Sequence, residues 1–138
     1  MQLLPAIQTQ GGRPAAPLAK SEESRTQRFF RGAFVLLTDD NECRLARIET
    51  ISLLEAFQNA TFVHLDERKI LIQRSLVECE RRLDNSIFVR ASRNCIVNLS
   101  QVKQPRLLKG RLTFVLKDER EVVFSRRQSV LFRALRGL

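Results

Sequence analysis

The sequence contains no tryptophan, no tyrosine, one methionine and one histidine in 138 residues. Each scarcity removes a class of chemistry. Readers of single-stranded nucleic acid display paired aromatics on a sheet face for stacking, but the nine phenylalanines here sit within apolar runs where core is the default. The histidine, His64, alternates with apolar neighbours across residues 61–65, the pattern of a strand residue with a bonded ring and not of a general base or ligand. Three cysteines, Cys43, Cys79 and Cys95, are odd in number and far apart, so neither a disulfide framework nor a zinc pattern fits and small buried hydrophobes are their expected role. No glycine-rich phosphate loop is present. The chain is therefore not expected to be an enzyme: no catalytic residue, metal site or cofactor is assigned, and no small-molecule substrate is evident. No apolar run approaches the roughly 20 residues of a membrane helix, and residues 1–7 lack both the basic start and the apolar length of a signal peptide. The expectation is a cytoplasmic protein with no membrane partner.

Acidic residues are scarce in one part of the chain only. Residues 90–138 hold twelve Lys/Arg against three Asp/Glu, residues 29–89 hold eight against ten, and residues 1–28 hold four against two. The last segment alone thus equals the net charge of the whole chain, +9. Such asymmetry points to a polyanionic partner met by one part of the fold.

Residues 1–28 combine Gln, Gly, Pro, Ala, Ser and Thr without a period of 2 or 3.6, so they read as a flexible tail, with Leu3, Leu4 and Ile7 as a candidate anchor. Residues 29–138 read as one domain, ordered from near Phe29 or Phe30. Apolar runs at 34–37 and 43–48 flank the turn residues Asp39, Asp40 and Asn41 as a hairpin would. Runs at 52–56 and 61–65 flank a loop at 57–60, and residues 66–68 turn into a strand at 69–73. Ser75 and Glu78 form a capping box before a helix whose face is Leu76, Cys79 and Leu83. Beyond residue 102, Pro105 is expected to break the run, because proline cannot donate inside a ladder. Residues 111–116 and 121–124 are strands around a turn at 117–120. Ser125 and Gln128 then cap a final helix whose apolar face is Val130, Leu131, Ala134, Leu135 and Leu138. The fold class is mainly β, with about ten short strands in small antiparallel sheets, one mid-chain helix and a C-terminal helix.

The stretch that organises the rest runs from Phe88 to Gln104. Two short strands flank a turn with Arg90, Arg93 and Asn94 around it. Arginine offers a planar fork to guanine or phosphate, and asparagine pairs donor and acceptor with adenine, so the combination suits a nucleic-acid reader; a plain hairpin with a solvated tip is the other reading of these residues. Arg126 and Arg127 stand in the first turn of the last helix, where the helix dipole disfavours cations. A phosphate or base edge there would be shared by backbone amides and both guanidinia.

These residues resemble the LytTR DNA-binding domain of bacterial transcriptional regulators. The resemblance is carried by residues 88–99 (FVRASRNCIVNL), residues 123–127 (VFSRR) before a terminal helix, residues 51–56 (ISLLEA) leading into an Asn-bearing loop, and the helix 75–83, together covering about 33–136. It implies an elongated β fold whose loops enter successive major grooves of double-stranded DNA. Carried onto this chain, the contact loops are 58–61, 90–94 and 126–127, with Arg93, Arg127, Asn59 and Thr61 as base contacts. Arg90, Asn94, Ser125, Arg126, Lys103 and Arg106 serve as phosphate contacts or loop support, and Asn98 is assigned to backbone bonding that fixes the loop. The family usually has His where this chain has Ser92, which leaves the task of that imidazole open.

The resulting expectation is a sequence-specific double-stranded DNA-binding transcriptional regulator, nucleoid-associated when bound and using two copies on repeated half-sites. A basic β-rich RNA-binding protein is the first alternative. The second is a protein-interaction module that kept the LytTR fold and lost DNA binding.

Overall fold

Leu53 and Leu54 are both buried, as are Ile96 and Val97, although neighbours along a strand point to opposite faces. The sheet that contains them is therefore covered on both sides. In the computed structural model, which describes residues 34–38 and 41–138, that sheet has five antiparallel strands. They are β3 (Leu53–Phe57), β4 (Ala60–His64), β5 (Lys69–Ile72), β6 (Phe88–Ser92) and β7 (Cys95–Asn98), in the order β5-β4-β3-β7-β6. Burial on both faces explains why these segments read as nearly continuous apolar runs instead of alternating ones. The expected tail at 1–28, the anchor residues Leu3, Leu4 and Ile7, the start of order at Phe29 or Phe30, and Asp39 and Asp40 of the first turn lie outside the described residues.

One face of the sheet is covered by the hairpin β1 (Phe34–Thr38) and β2 (Cys43–Arg47) together with helix α1 (Leu76–Arg82). Leu37, Ala46, Ile51, Leu54, Val63, Leu76, Cys79 and Ile96 form this first core. The other face packs against a three-stranded antiparallel sheet of order β10-β9-β8, made by β8 (Val102–Leu108), β9 (Arg111–Leu116) and β10 (Glu121–Val123). Leu53, Ala91, Val97, Leu112, Phe114, Leu116, Val122 and Phe124 form the second core. Helix α2 (Arg126–Arg136) closes it through Phe132, whose ring lies 5.5 Å from that of Phe114 and 5.7 Å from that of Phe124. Ten strands and two helices result among the described residues, the mainly β architecture that the sequence implied.

Both helix starts follow from their N-caps: Ser75 Oγ accepts from Glu78 N at 3.2 Å and Ser125 Oγ from Gln128 N at 3.1 Å. The carboxylate of Glu78 turns outward to Arg81 at 3.0 Å.

Two expectations are corrected. Pro105 does not break the run. It lies inside β8, paired with Phe114, and β8 is an edge strand of its sheet, where one side of the backbone has no ladder partner to lose. The inward face of α2 is not the apolar set Val130, Leu131, Ala134, Leu135 and Leu138. Val130 and Leu135 are 65% and 82% exposed, while Ser129 is fully buried and its hydroxyl accepts from Leu112 N at 3.0 Å. Aromatic packing by Phe132 and the satisfied Ser129 hydroxyl orient the helix more strongly than the count of aliphatic residues does.

Candidate nucleic-acid interface

Strand register decides which turns meet. Glu55 faces Cys95 across the β3–β7 pair and Phe57 faces Ala60 across β3–β4, so the β3–β4 turn at 58–59 and the β6–β7 turn at 93–94 lie at the same end of the five-stranded sheet. A backbone bond joins them, from Ala56 N to Asn94 O at 2.8 Å. Ser125 N donates to Ala91 O at 2.9 Å, which seats the start of α2 beside the end of β6. Phe124 N bonds Leu112 O at 2.9 Å and Leu108 pairs with Arg111, so the β8–β9 turn at 109–110 reaches this end too. With the connection at 73–75, which follows Ile72 opposite Thr61, five connections converge, and none of them carries an acidic residue. The turns at the opposite end, 65–68 and 117–120, carry Asp66, Glu67, Asp118 and Glu119 beside Arg68, Lys117 and Arg120, a net −1. The fold is thus electrically polarised along its strands, with the cationic end suited to a polyanion.

Asn59, Arg93, Asn94, Arg126 and Arg127 are exposed at the convergent end. Gln58, in the left-handed region at φ 56°, makes the tight β3–β4 turn that presents Asn59. Arg90 behaves differently from its neighbours. Its side chain is only 15% exposed, its Nε donates to Ser92 O at 2.8 Å, its Nη2 donates to Arg93 O at 3.1 Å, and its Nη1 pairs with Glu80 of α1. The guanidinium is spent on two carbonyls of the turn, so Arg90 braces the turn and is not placed as a phosphate contact.

Three further expectations change. Thr61 is not available to a base: it is fully buried, its hydroxyl donating to Arg74 O at 2.7 Å and accepting from Cys79 Sγ at 3.7 Å. Lys103 sits at the opposite end, beside the β9–β10 turn, and pairs with Glu119 at 2.6 Å. Arg106 projects from the middle of the edge strand and pairs with Glu121 at 3.4 Å. Spacing along the chain does not report which end of a strand a cation occupies: β8 crosses its sheet from end to end, so Lys103 near its start and Lys109 just past its last residue lie at opposite ends.

Elsewhere Cys43 is exposed, not the buried hydrophobe expected, while His64, Cys79 and Cys95 have structural surroundings. His64 Nδ1 faces Arg120 Nη1 at 2.9 Å, and a guanidinium only donates, so the ring proton is on Nε2, which donates to Glu55 Oε1 at 3.0 Å. Burial, followed by the Glu55 charge, pushes the Cys95 thiol up to about 12, and burial also raises that of Cys79. Neither is a nucleophile near neutral pH. Among the described residues no helix is long and apolar enough to cross a membrane.

The family model of the LytTr DNA-binding domain matches residues 41–137 of this chain. The chain belongs to the LytTR family. A solved LytTr DNA-binding domain from Bacillus cereus is similar in fold, with a TM-score of 0.68 at 24% identity, covering 77% of this chain and 98% of that one. Among curated proteins, none matches the sequence. The LytTR domain of this chain is thus a DNA-binding regulator domain, and two of its residues differ in task from their neighbours in the motif. Ser92 accepts from Asn94 N at 3.2 Å and so closes the β6–β7 turn from within. Asn98 is fully buried; its amide donates to Ile48 O at 3.0 Å and Ile51 O at 2.7 Å, while its Oδ1 accepts from Ser100 N at 2.9 Å. Contrary to expectation, it does not fix the contact loop but ties the segment ahead of β3 to the turn after β7, at the end opposite the convergent turns. Sequence reasoning missed Glu80 as the partner of Arg90, because a contact from helix to strand across ten residues has no local periodicity.

Proposed function

We propose that this LytTR chain is a sequence-specific transcriptional regulator that binds double-stranded DNA by inserting the turns at 58–59 and 93–94 and the start of α2 into successive major grooves. The observation that carries this reading is the convergence of exposed, acid-free turns at one end of a charge-polarised domain. Arg93 and Arg127 read base edges through bidentate bonds, Asn59 reads from the first turn, and Arg126 with the amides at the start of α2 holds a phosphate. Asn94 and Ser125 hold the two turns in place through their backbone bonds to Ala56 and Ala91. Arg106 is left at the margin, where releasing Glu121 would free it for a phosphate. One such end spans too little DNA for high specificity, so two copies occupy repeated half-sites. The protein acts in the cytoplasm, at the nucleoid.

The test is selection of bound sequences from a random duplex pool, followed by titration of the selected duplex, a scrambled duplex and RNA of the same sequence. A recovered repeat with spacing near one helical turn, bound much more tightly than the other two ligands, is expected. Equal binding to all three would reduce the domain to a nonspecific cation.

A further inference from the structure

We propose that the β8–β9 turn is a fourth contact to the duplex, in which Lys109 neutralises a backbone phosphate beside the start of α2. This rests on the duplex-DNA reading above and adds a residue that the motifs do not supply. Three observations carry it. The first is position: Arg111 Nε donates to Phe124 O at 2.9 Å and Leu112 N donates to Ser129 Oγ at 3.0 Å, so the hairpin is bolted to both the start and the first turn of α2. Arg126 and Arg127 leave from that same point. The second is charge. Two other cations of this strand are engaged, Lys103 with Glu119 and Arg106 with Glu121, whereas Lys109 is exposed and pairs with no carboxylate among the described residues.

The third observation is backbone conformation. Lys109 and Gly110 have φ of 53° and 79°, the pair of left-handed residues that a two-residue hairpin turn of type I′ requires. Asn, Asp or Gly normally takes the first of these positions, because a side chain with an ordinary Cβ is strained there. A lysine at this site is disfavoured by the fold and so points to a task outside it. A Cβ added at Gly110 would meet nothing within 4 Å, so the tip of the turn is uncovered by the rest of the fold.

The experiment uses the full chain with Lys109→Asn, and Lys109→Gly as a second variant that suits a left-handed position equally well. Urea midpoints and fluorescence anisotropy on the selected and scrambled duplexes are measured across a salt series. Both variants should unfold at a midpoint equal to or above that of the parent. They should lose affinity by similar factors on both duplexes, with the log–log salt slope shallower by about 0.9, which amounts to roughly eightfold at about 0.1 M salt. Lys109→Arg should restore the slope. Parent-like affinity and slope in the Asn and Gly variants would overturn the Lys109 assignment while leaving DNA binding intact. A loss confined to the selected duplex would overturn it in favour of base reading. Absence of salt-dependent duplex binding by the parent would overturn both this and the reading on which it rests.

Discussion

Replacing Arg90 by methionine separates a brace from a DNA contact. Methionine keeps the apolar stem of the side chain and removes the fork that bonds Ser92 O, Arg93 O and Glu80. A hydrogen bond from a charged donor contributes about 1.5–3 kcal/mol when its surroundings are dry. The bond to Ser92 O lies between half-buried groups and belongs near the lower figure. That to Arg93 O is at the surface, where water replaces it, and Glu80 is 44% exposed at its side chain, so the pair adds no more than the 0.2–1 kcal/mol of a surface ion pair, roughly. The total is about 2 kcal/mol, a large share of the roughly 5–15 kcal/mol that holds a domain of this size together. The urea midpoint of Arg90→Met should fall by about 1 M at unchanged slope. Affinity for the selected duplex should fall by at most the same energy, about 30-fold, because a loosened turn must be ordered again on binding. The salt slope should not move, since no phosphate contact is lost. An unchanged midpoint with a slope shallower by about 0.9 would refute the brace and restore Arg90 to the phosphate contacts.

Arg93→Ala should lose roughly 1–3 kcal/mol on the selected duplex and less on the scrambled one, measured by anisotropy; equal losses would make it a phosphate contact only. Asn98→Ala removes the amide that satisfies Ile48 O and Ile51 O in a fully buried site, so chemical denaturation should report a loss of about 2–5 kcal/mol. Thr61→Val should cost about 1–2 kcal/mol of stability by orphaning its bond to Arg74 O, with the same base preference in a selection experiment as the parent. Asp118 is held below the usual carboxylate range, first by the side-chain bond from Arg120. Its folded pKa being depressed, the stabilisation is present above the unfolded value near 3.8 and is lost as pH falls through the folded one. Asp118→Asn should accordingly lower the urea midpoint at neutral pH and leave it unchanged in strong acid.

Much of the fold is legible residue by residue. The caps Ser75 and Ser125, the turn residues and the short apolar runs all act within a few positions of themselves, so local chemistry places ten strands and two helices in order. The expectations that fail are those in which local chemistry has two outcomes. Pro105 ends a central strand yet is tolerated on an edge, and chain order does not say which strand is the edge. The aliphatic stripe of α2 looks like a core face, but what lies opposite the helix is Phe114 and Phe124, which select Phe132 and Ser129 instead. Among the site residues, Arg93, Arg127 and Asn59 stand exposed where the motifs put them in the chain, while Arg90 and Thr61 turn inward.

Residue chemistry along the chain supplies the inventory: a mainly β domain, a basic last third, turns bearing arginine and asparagine, and a family motif spread over most of the chain. Which of those cations face outward together depends on how the strands pair in space. One strand carries residues close in sequence, such as Lys103 and Lys109, to opposite ends of its sheet, while strand pairing makes residues far apart, such as Asn94 and Ala56 or Ser125 and Ala91, bonded neighbours. The cationic end exists because hydrogen-bond register, not chain position, chooses which turns share it.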